Sequence, residues 1–149
     1  MFDSTEPFVL ERIGAAAVSC SDGRWGRQID EFLERGLRLP RYDRVAVPGG
    51  AGCLAGHLAT WKEEAALEHQ LRLLVEVHGL TRVVLIAHQD CAFYTERLRV
   101  AGPELETAQR RDLDVAAHRV TRLHQGIAVE TYFARRTDSR VRFEEWTRA

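Results

Sequence analysis

Two rhythms alternate along this chain. Short, nearly unbroken apolar runs are separated by longer stretches in which apolar residues return every three to four positions. Ile13 to Cys20 is a run of the first kind and reads as a buried strand. Its alanine-rich middle has weak strand propensity, so length and flanks carry that reading. From Arg24 to Leu37 the period becomes helical, with Trp25, Ile29, Phe32 and Leu33 on one face and Asp30, Glu31, Glu34 and Arg35 on the other. Gly36 is placed to end this helix and Pro40 to prevent its renewal. Asp43 to Val47 reads as a second strand, broken by Pro48-Gly49-Gly50-Ala51-Gly52. The longest helical pattern spans Leu54 to His78, with Gly79 as its cap, and a strand from Arg82 to Ala87 follows at once. Phe93 to Val100 suggests a short helix. Pro103, with Glu104 and Glu106, starts another that runs to Gln125, since proline suits a first turn and acids suit the positive end of the helix dipole. Ile127 to Phe133 alternates as a strand, and Val141 to Trp146 makes a final edge strand after the polar turn Thr137-Asp138-Ser139.

Three junctions of the form helix, glycine, strand (at Gly36, Gly79 and Gly126) imply alternating strands and helices. That order predicts an α/β fold: a single three-layer domain over residues 1–149, with a central, mostly parallel sheet of four strands plus an edge strand and helices on both faces. Residues 1–12 read as a short arm or partial helix. No repeat or low-complexity tract interrupts the pattern.

Composition narrows the class of function. The 149 residues are 45% hydrophobic and 29% charged, as in ordinary globular domains, with a formal net charge of −1. The basic residues are arginines scattered among acids, Lys62 being the sole lysine. Nucleic acid is therefore not an expected partner. No apolar run approaches the roughly 20 residues a membrane helix needs, and the first residues lack a signal pattern, so a cytoplasmic protein without membrane attachment is expected. Cys20, Cys53 and Cys91 are too few and too odd in number for a disulfide framework, and cysteines at strand ends point toward metal or catalysis.

Two strand ends carry that chemistry. The first strand stops at Cys20-Ser21-Asp22-Gly23-Arg24, and the third at His88-Gln89-Asp90-Cys91. Two thiols and one imidazole are a donor set for tetrahedral zinc, and three protein ligands with a fourth position open is the catalytic arrangement. In an open α/β sheet, strand ends meet where the winding direction reverses, which would bring the two motifs together. Arg24 offers a bidentate partner that keeps Asp22 ionised. Cys-x-Asp-x-Arg followed by His-x-x-Cys resembles the β-class carbonic anhydrases, over roughly Ile13 to Trp146. The resemblance implies a Zn2+ centre held by Cys20, His88 and Cys91, with Asp22 as acceptor beside the metal and Arg24 as its holder. It also implies reversible hydration of carbon dioxide to bicarbonate, and a homodimer or higher homo-oligomer. Water on zinc has a pKa near 7 in a three-histidine site, and two thiolates would make it less acidic.

The chain departs from the family at Gly23 (usually Ser), at Ala92 (usually Gly) and in the loop after the second strand. Where the family has Arg-Asn-Ala-Gly, this chain has Pro48 to Gly52, without the arginine or asparagine. Three alternatives stay open: a related zinc hydrolase of carbonyl sulfide or carbon disulfide, a non-catalytic zinc-binding member with Asp22 in the fourth position, and a metal-free thiol enzyme. The glycine loop is either a tight turn or a row of amides for bicarbonate. Cys53 reads as a packed thiol, Phe93 and Tyr94 as core, and Trp61 as core or subunit interface. His57, His118 and His124 are candidates for proton exchange by residue type alone.

Overall fold

The computed structural model describes residues 1–147. Five strands form one sheet: β1 Ala15–Cys20, β2 Asp43–Val47, β3 Arg82–His88, β4 Ala128–Thr137 and β5 Arg140–Glu145. Their spatial order is β2-β1-β3-β4-β5, with β1 to β4 parallel and β5 antiparallel at the edge. The chain moves outward from β1 to β2, then crosses back over β1 to β3. The winding therefore reverses beside the carboxyl ends of β1 and β3.

Layering explains the apolar runs. β1 and β3 are central and covered on both faces, so nearly every residue in them is buried and polar alternation is absent. β2 at the edge alternates half-buried with exposed positions. Helices α2 (Trp61–His78) and α3 (Glu104–Thr121) pack on one face through Leu67, Leu71, Val75, Leu113, Ala116 and Val120. Helix α1 (Gly23–Glu31) and the turn after it cover the other face with Trp25, Ile29 and Leu33. This is the single three-layer α/β domain that the sequence predicts.

Element ends differ in instructive ways. α1 does not close on Gly36. It widens into a turn in which Leu37 N–H donates to Phe32 O at 2.9 Å, and Arg38 takes the left-handed conformation with φ of 55°. The expected helix from Leu54 begins only at Trp61, because Gly56 adopts φ of 81° and its N–H is taken by the Glu64 carboxylate at 2.5 Å. α2 does close on Gly79, at φ of 70° with its N–H on Val75 O. α3 stops at Thr121 rather than Gln125, and β4 runs on to Thr137. Phe93–Arg97 makes a single wide turn. Residues 1–12 form no helix and lie exposed. Trp61 is 59% exposed and so is not part of the core.

Candidate metal centre

Cys20 ends β1, His88 ends β3, and Cys91 follows one turn later. The switch in strand order brings them together: one donor atom from each lies within 4.8 Å of the others, the one such grouping among the described residues. The sulfurs of Cys20 and Cys91 are 3.8 Å apart. A tetrahedron with zinc–sulfur bonds of about 2.3 Å has an edge of about 3.8 Å, so the sulfur spacing fits such an ion.

The histidine fits as well. His88 Nδ1 donates to the backbone oxygen of Gln89 at 2.8 Å; because a carbonyl only accepts, the proton sits on Nδ1. Nε2 is thereby left with a lone pair, buried and without any hydrogen-bond partner. An orphaned buried nitrogen is costly unless something occupies it. Trp25 lies against the imidazole with ring centroids 4.7 Å apart and limits its rotation. These residues fit a divalent metal of the zinc type.

The surroundings of the two sulfurs favour a thiolate at Cys20. A hydrogen bond from Cys91 outweighs burial and holds the Cys20 thiol well below its usual value, with further help from the backbone N–H groups of Asp22 and Gly49. The same bond and burial push the Cys91 thiol up. Gly49 and Gly50 serve this packing. Gly50 has φ of 53°, and a Cβ there would sit 2.6 Å from the backbone nitrogen of Cys20; at Gly49 it would strike the ring of Phe93. Close approach of the loop to β1 accounts for Gly50, and the Phe93 ring together with φ of 85° accounts for Gly49.

The turn from His88 to Cys91 is fixed from outside. Gln89 N–H donates to Ala134 O, Asp90 takes φ of 54°, and Arg136 pairs with the Asp90 carboxylate at 2.7 Å. Asp22 caps α1, accepting the Arg24 backbone N–H at 3.0 Å, while the Arg24 guanidinium donates through Nε at 2.9 Å and Nη2 at 2.5 Å. The guanidinium holds the carboxyl at about 2. Asp22 is turned to Arg24 and does not join the three-residue grouping.

Two recesses are lined by sequence neighbours of Cys91 and His88, Ala92 in one and Gln89 in the other. A cavity of about 670 Å³ is walled by Val45, Val47, Pro48, Cys53, Leu67 and Phe93. Cys53 thus faces a cavity as well as packing, its thiol donating to Pro48 O while burial raises its pKa to about 12. A polar cleft of about 260 Å³ lies on the other side, lined by Arg24, Trp25, Gln89, Asp90, Arg136 and Arg140. Of the three histidines suggested for proton exchange, His57 is tied to the buried Asp112 at 2.6 Å, and its ring meets that of Tyr94 edge-on. His118 and His124 are exposed toward the far end of α3. Tyr94 is core, as expected, whereas Phe93 is shared between core and cavity.

Sequence reading assigned Trp25 to packing alone and overlooked Gln109, which is buried beside His88. A signal was present: along α3 the buried stripe is Gln109, Asp112, Leu113, Ala116 and Val120, polar only in its first half.

Residues 11–143 match the family described as "Putative carbonic anhydrase". This chain belongs to that family. Among solved structures, it is similar to the carbonic anhydrase of Streptococcus mutans, with a TM-score of 0.57 at 17% identity over 97% of this chain and 88% of that one. The β-carbonic anhydrase isoform I of Trichomonas vaginalis gives a TM-score of 0.57 at 12% identity, covering 95% and 87%. The β-carbonic anhydrase of Aspergillus fumigatus gives 0.51 at 12%, covering 93% and 78%. At such identities these likenesses establish a β-carbonic anhydrase fold. No curated protein matches the chain significantly. Family membership extends over both motifs and over the glycine loop in which the chain diverges.

Proposed function

We propose that this chain is a zinc-dependent carbonic anhydrase that interconverts carbon dioxide and bicarbonate. The observation that carries the reading is the convergence of two thiols and an unpartnered imidazole nitrogen at the carboxyl ends of β1 and β3. Cys20, His88 and Cys91 would hold the ion, with Trp25 and the Gln89 carbonyl fixing the imidazole in the tautomer that ligation needs. Bound there, zinc supplies a Lewis acid that makes water nucleophilic near neutral pH.

The chain's own groups do the rest. Asp22, kept ionised by Arg24, accepts a proton-bearing hydrogen bond from the reacting water and orients its lone pair. The apolar cavity past Pro48 and Phe93 suits carbon dioxide, which has no net charge or dipole. The arginine-lined cleft on the opposite side suits departure of an anion. Two sulfurs this close act as ligands only while reduced, which favours a cytoplasmic setting. No helix among the described residues is long and apolar enough to cross a membrane. A homodimer is proposed with the activity, supported by the exposed Leu58, Trp61, Leu73 and Val77.

Stopped-flow hydration of carbon dioxide by zinc-loaded protein tests the reading. Turnover above the buffer rate between pH 7 and 9, lost on chelation and restored by zinc, supports it. A zinc-loaded preparation inactive toward carbon dioxide overturns it, and turnover of carbonyl sulfide in that same preparation would transfer the site to the related hydrolases.

A further inference from the structure

The buried amide of Gln109 has no part in the chemistry above, yet it touches the proposed metal ligand. Gln109 lies on the first half of α3 and is 1% exposed. Its Nε2 donates to the backbone oxygen of His88 at 2.7 Å. That bond fixes the amide's orientation, because a carbonyl can accept only from the nitrogen end. Oε1 is therefore committed to the other side, where it is buried with no partner. A leucine or methionine would fill the same space without stranding an acceptor. One to three turns further along the same buried stripe, the helix does what an ordinary core helix does, presenting Leu113, Ala116 and Val120 to the sheet. A fold that keeps a half-satisfied amide at a core position, and only where the helix passes the strand ends, is paying stability for position.

We infer that Gln109 is a positioning residue for the metal centre, fixing the His88 main chain so that Nε2 and the two sulfurs are preorganised around one ion. β3 ends at His88, and the chain then turns sharply through Asp90 at φ of 54° to deliver Cys91 three residues later. On one side this turn is tied to β4, through Gln89 N–H to Ala134 O and Arg136 N–H to the Gln89 side chain. On the α3 side, the hydrogen bond from Gln109 is the tie at His88 itself. Releasing it leaves that peptide plane held at one end only, by Gln89 N–H on Ala134 O, so the carbonyl end can tilt and shift the direction of the imidazole. Partners one step removed from a metal commonly change affinity by 10–100-fold when they are replaced.

The inference rests on the metal reading of Cys20, His88 and Cys91, and the experiment separates the two. Gln109→Met keeps length and volume but removes the donor. Metal-free wild type and Gln109→Met are titrated with Co2+, following thiolate charge-transfer and tetrahedral ligand-field absorption, and with Zn2+ against a chromophoric chelator. The temperature is one at which both proteins are fully folded by circular dichroism. Leu113→Ala, on the same helix face but apolar, serves as the comparison for simple loss of packing. The expected result is a 10–100-fold weaker metal dissociation constant and a perturbed cobalt spectrum for Gln109→Met, with wild-type affinity and spectrum for Leu113→Ala despite its lower melting temperature. Should Gln109→Met not fold, Gln109→Leu is read in the same way, since it also lacks the donor. Unchanged affinity and spectrum in a folded Gln109 variant overturn the inference and leave the metal centre standing. A wild-type chain that binds neither ion overturns both.

Discussion

Replacing Gly50 by alanine tests whether the glycine loop is built by close approach to β1. The backbone at Gly50 has φ of 53°, and an added Cβ would lie 2.6 Å from Cys20 N and 2.7 Å from Ser19 C. Holding an L-residue in the left-handed region costs roughly 1–2 kcal/mol. Overlap with a central strand, which cannot swing aside as a flexible side chain can, adds roughly 1–3 kcal/mol. Reduced freedom of the unfolded chain returns about 0.4–1 kcal/mol. Gly50→Ala should therefore lose about 2–4 kcal/mol, lowering the melting temperature by roughly 4–16 °C in a chain of this size. Gly79→Ala is the matched comparison: φ is 70°, yet nothing lies within 4 Å of the added carbon. It carries the conformational cost without the overlap, so its net loss should stay near or below about 1 kcal/mol. Urea and thermal unfolding of the two variants beside wild type decide the matter. If Gly50→Ala loses no more than Gly79→Ala, contact between loop and strand is not what selects glycine there.

Three further outcomes are expected. Cys91→Ser should bind zinc far more weakly, so that adding zinc no longer raises its melting temperature, whereas the wild type at 100 times its dissociation constant should gain about 2.7 kcal/mol; equal zinc-induced shifts in the two proteins would remove Cys91 from the ligand set. Asp22→Asn keeps an oxygen for capping α1 but loses the charge, so zinc content should hold while carbon dioxide hydration falls by on the order of a hundredfold or more; loss of zinc instead would make Asp22 a ligand. For Asp30, burial favours the neutral form, but hydrogen bonds from Tyr42 and Arg44 together outweigh it and hold the carboxyl below its ordinary value. A lowered folded-state pKa gives stability that is present above the unfolded value of about 3.9 and is lost as pH falls through the folded one. Asp30→Asn should accordingly lower the urea midpoint at pH 7 and flatten its decline below about pH 4, and parallel curves for both proteins would contradict that.

What the sequence disclosed follows from physical range. β1 and β3 were legible because a strand buried on both faces must be apolar throughout, and their ends were conspicuous because Cys20 and His88 break that rule. Gly79 was legible because a helix cap at positive φ is a local demand. Gly36 misled, since the chain widened its last turn and let Arg38 take the left-handed position instead. The false start at Leu54 arose because leucine spacing continues smoothly through a break that only Gly56 and its bond to Glu64 impose. At the site, ligand types and spacing were visible, and family resemblance pointed to them. What holds them in place was not, because it depends on neighbours far away in sequence: Trp25 on α1, the Gly49 amide, and Gln109 on α3.

Zinc K-edge X-ray absorption on protein loaded with one equivalent of the metal bears most directly on the central claim. Two sulfur neighbours at about 2.3 Å and one imidazole nitrogen at about 2.0 Å, with a single light atom completing the shell, are expected for ligation by Cys20, His88 and Cys91. A shell of oxygen and nitrogen alone, or failure to retain an equivalent of zinc in reducing buffer, would contradict the account.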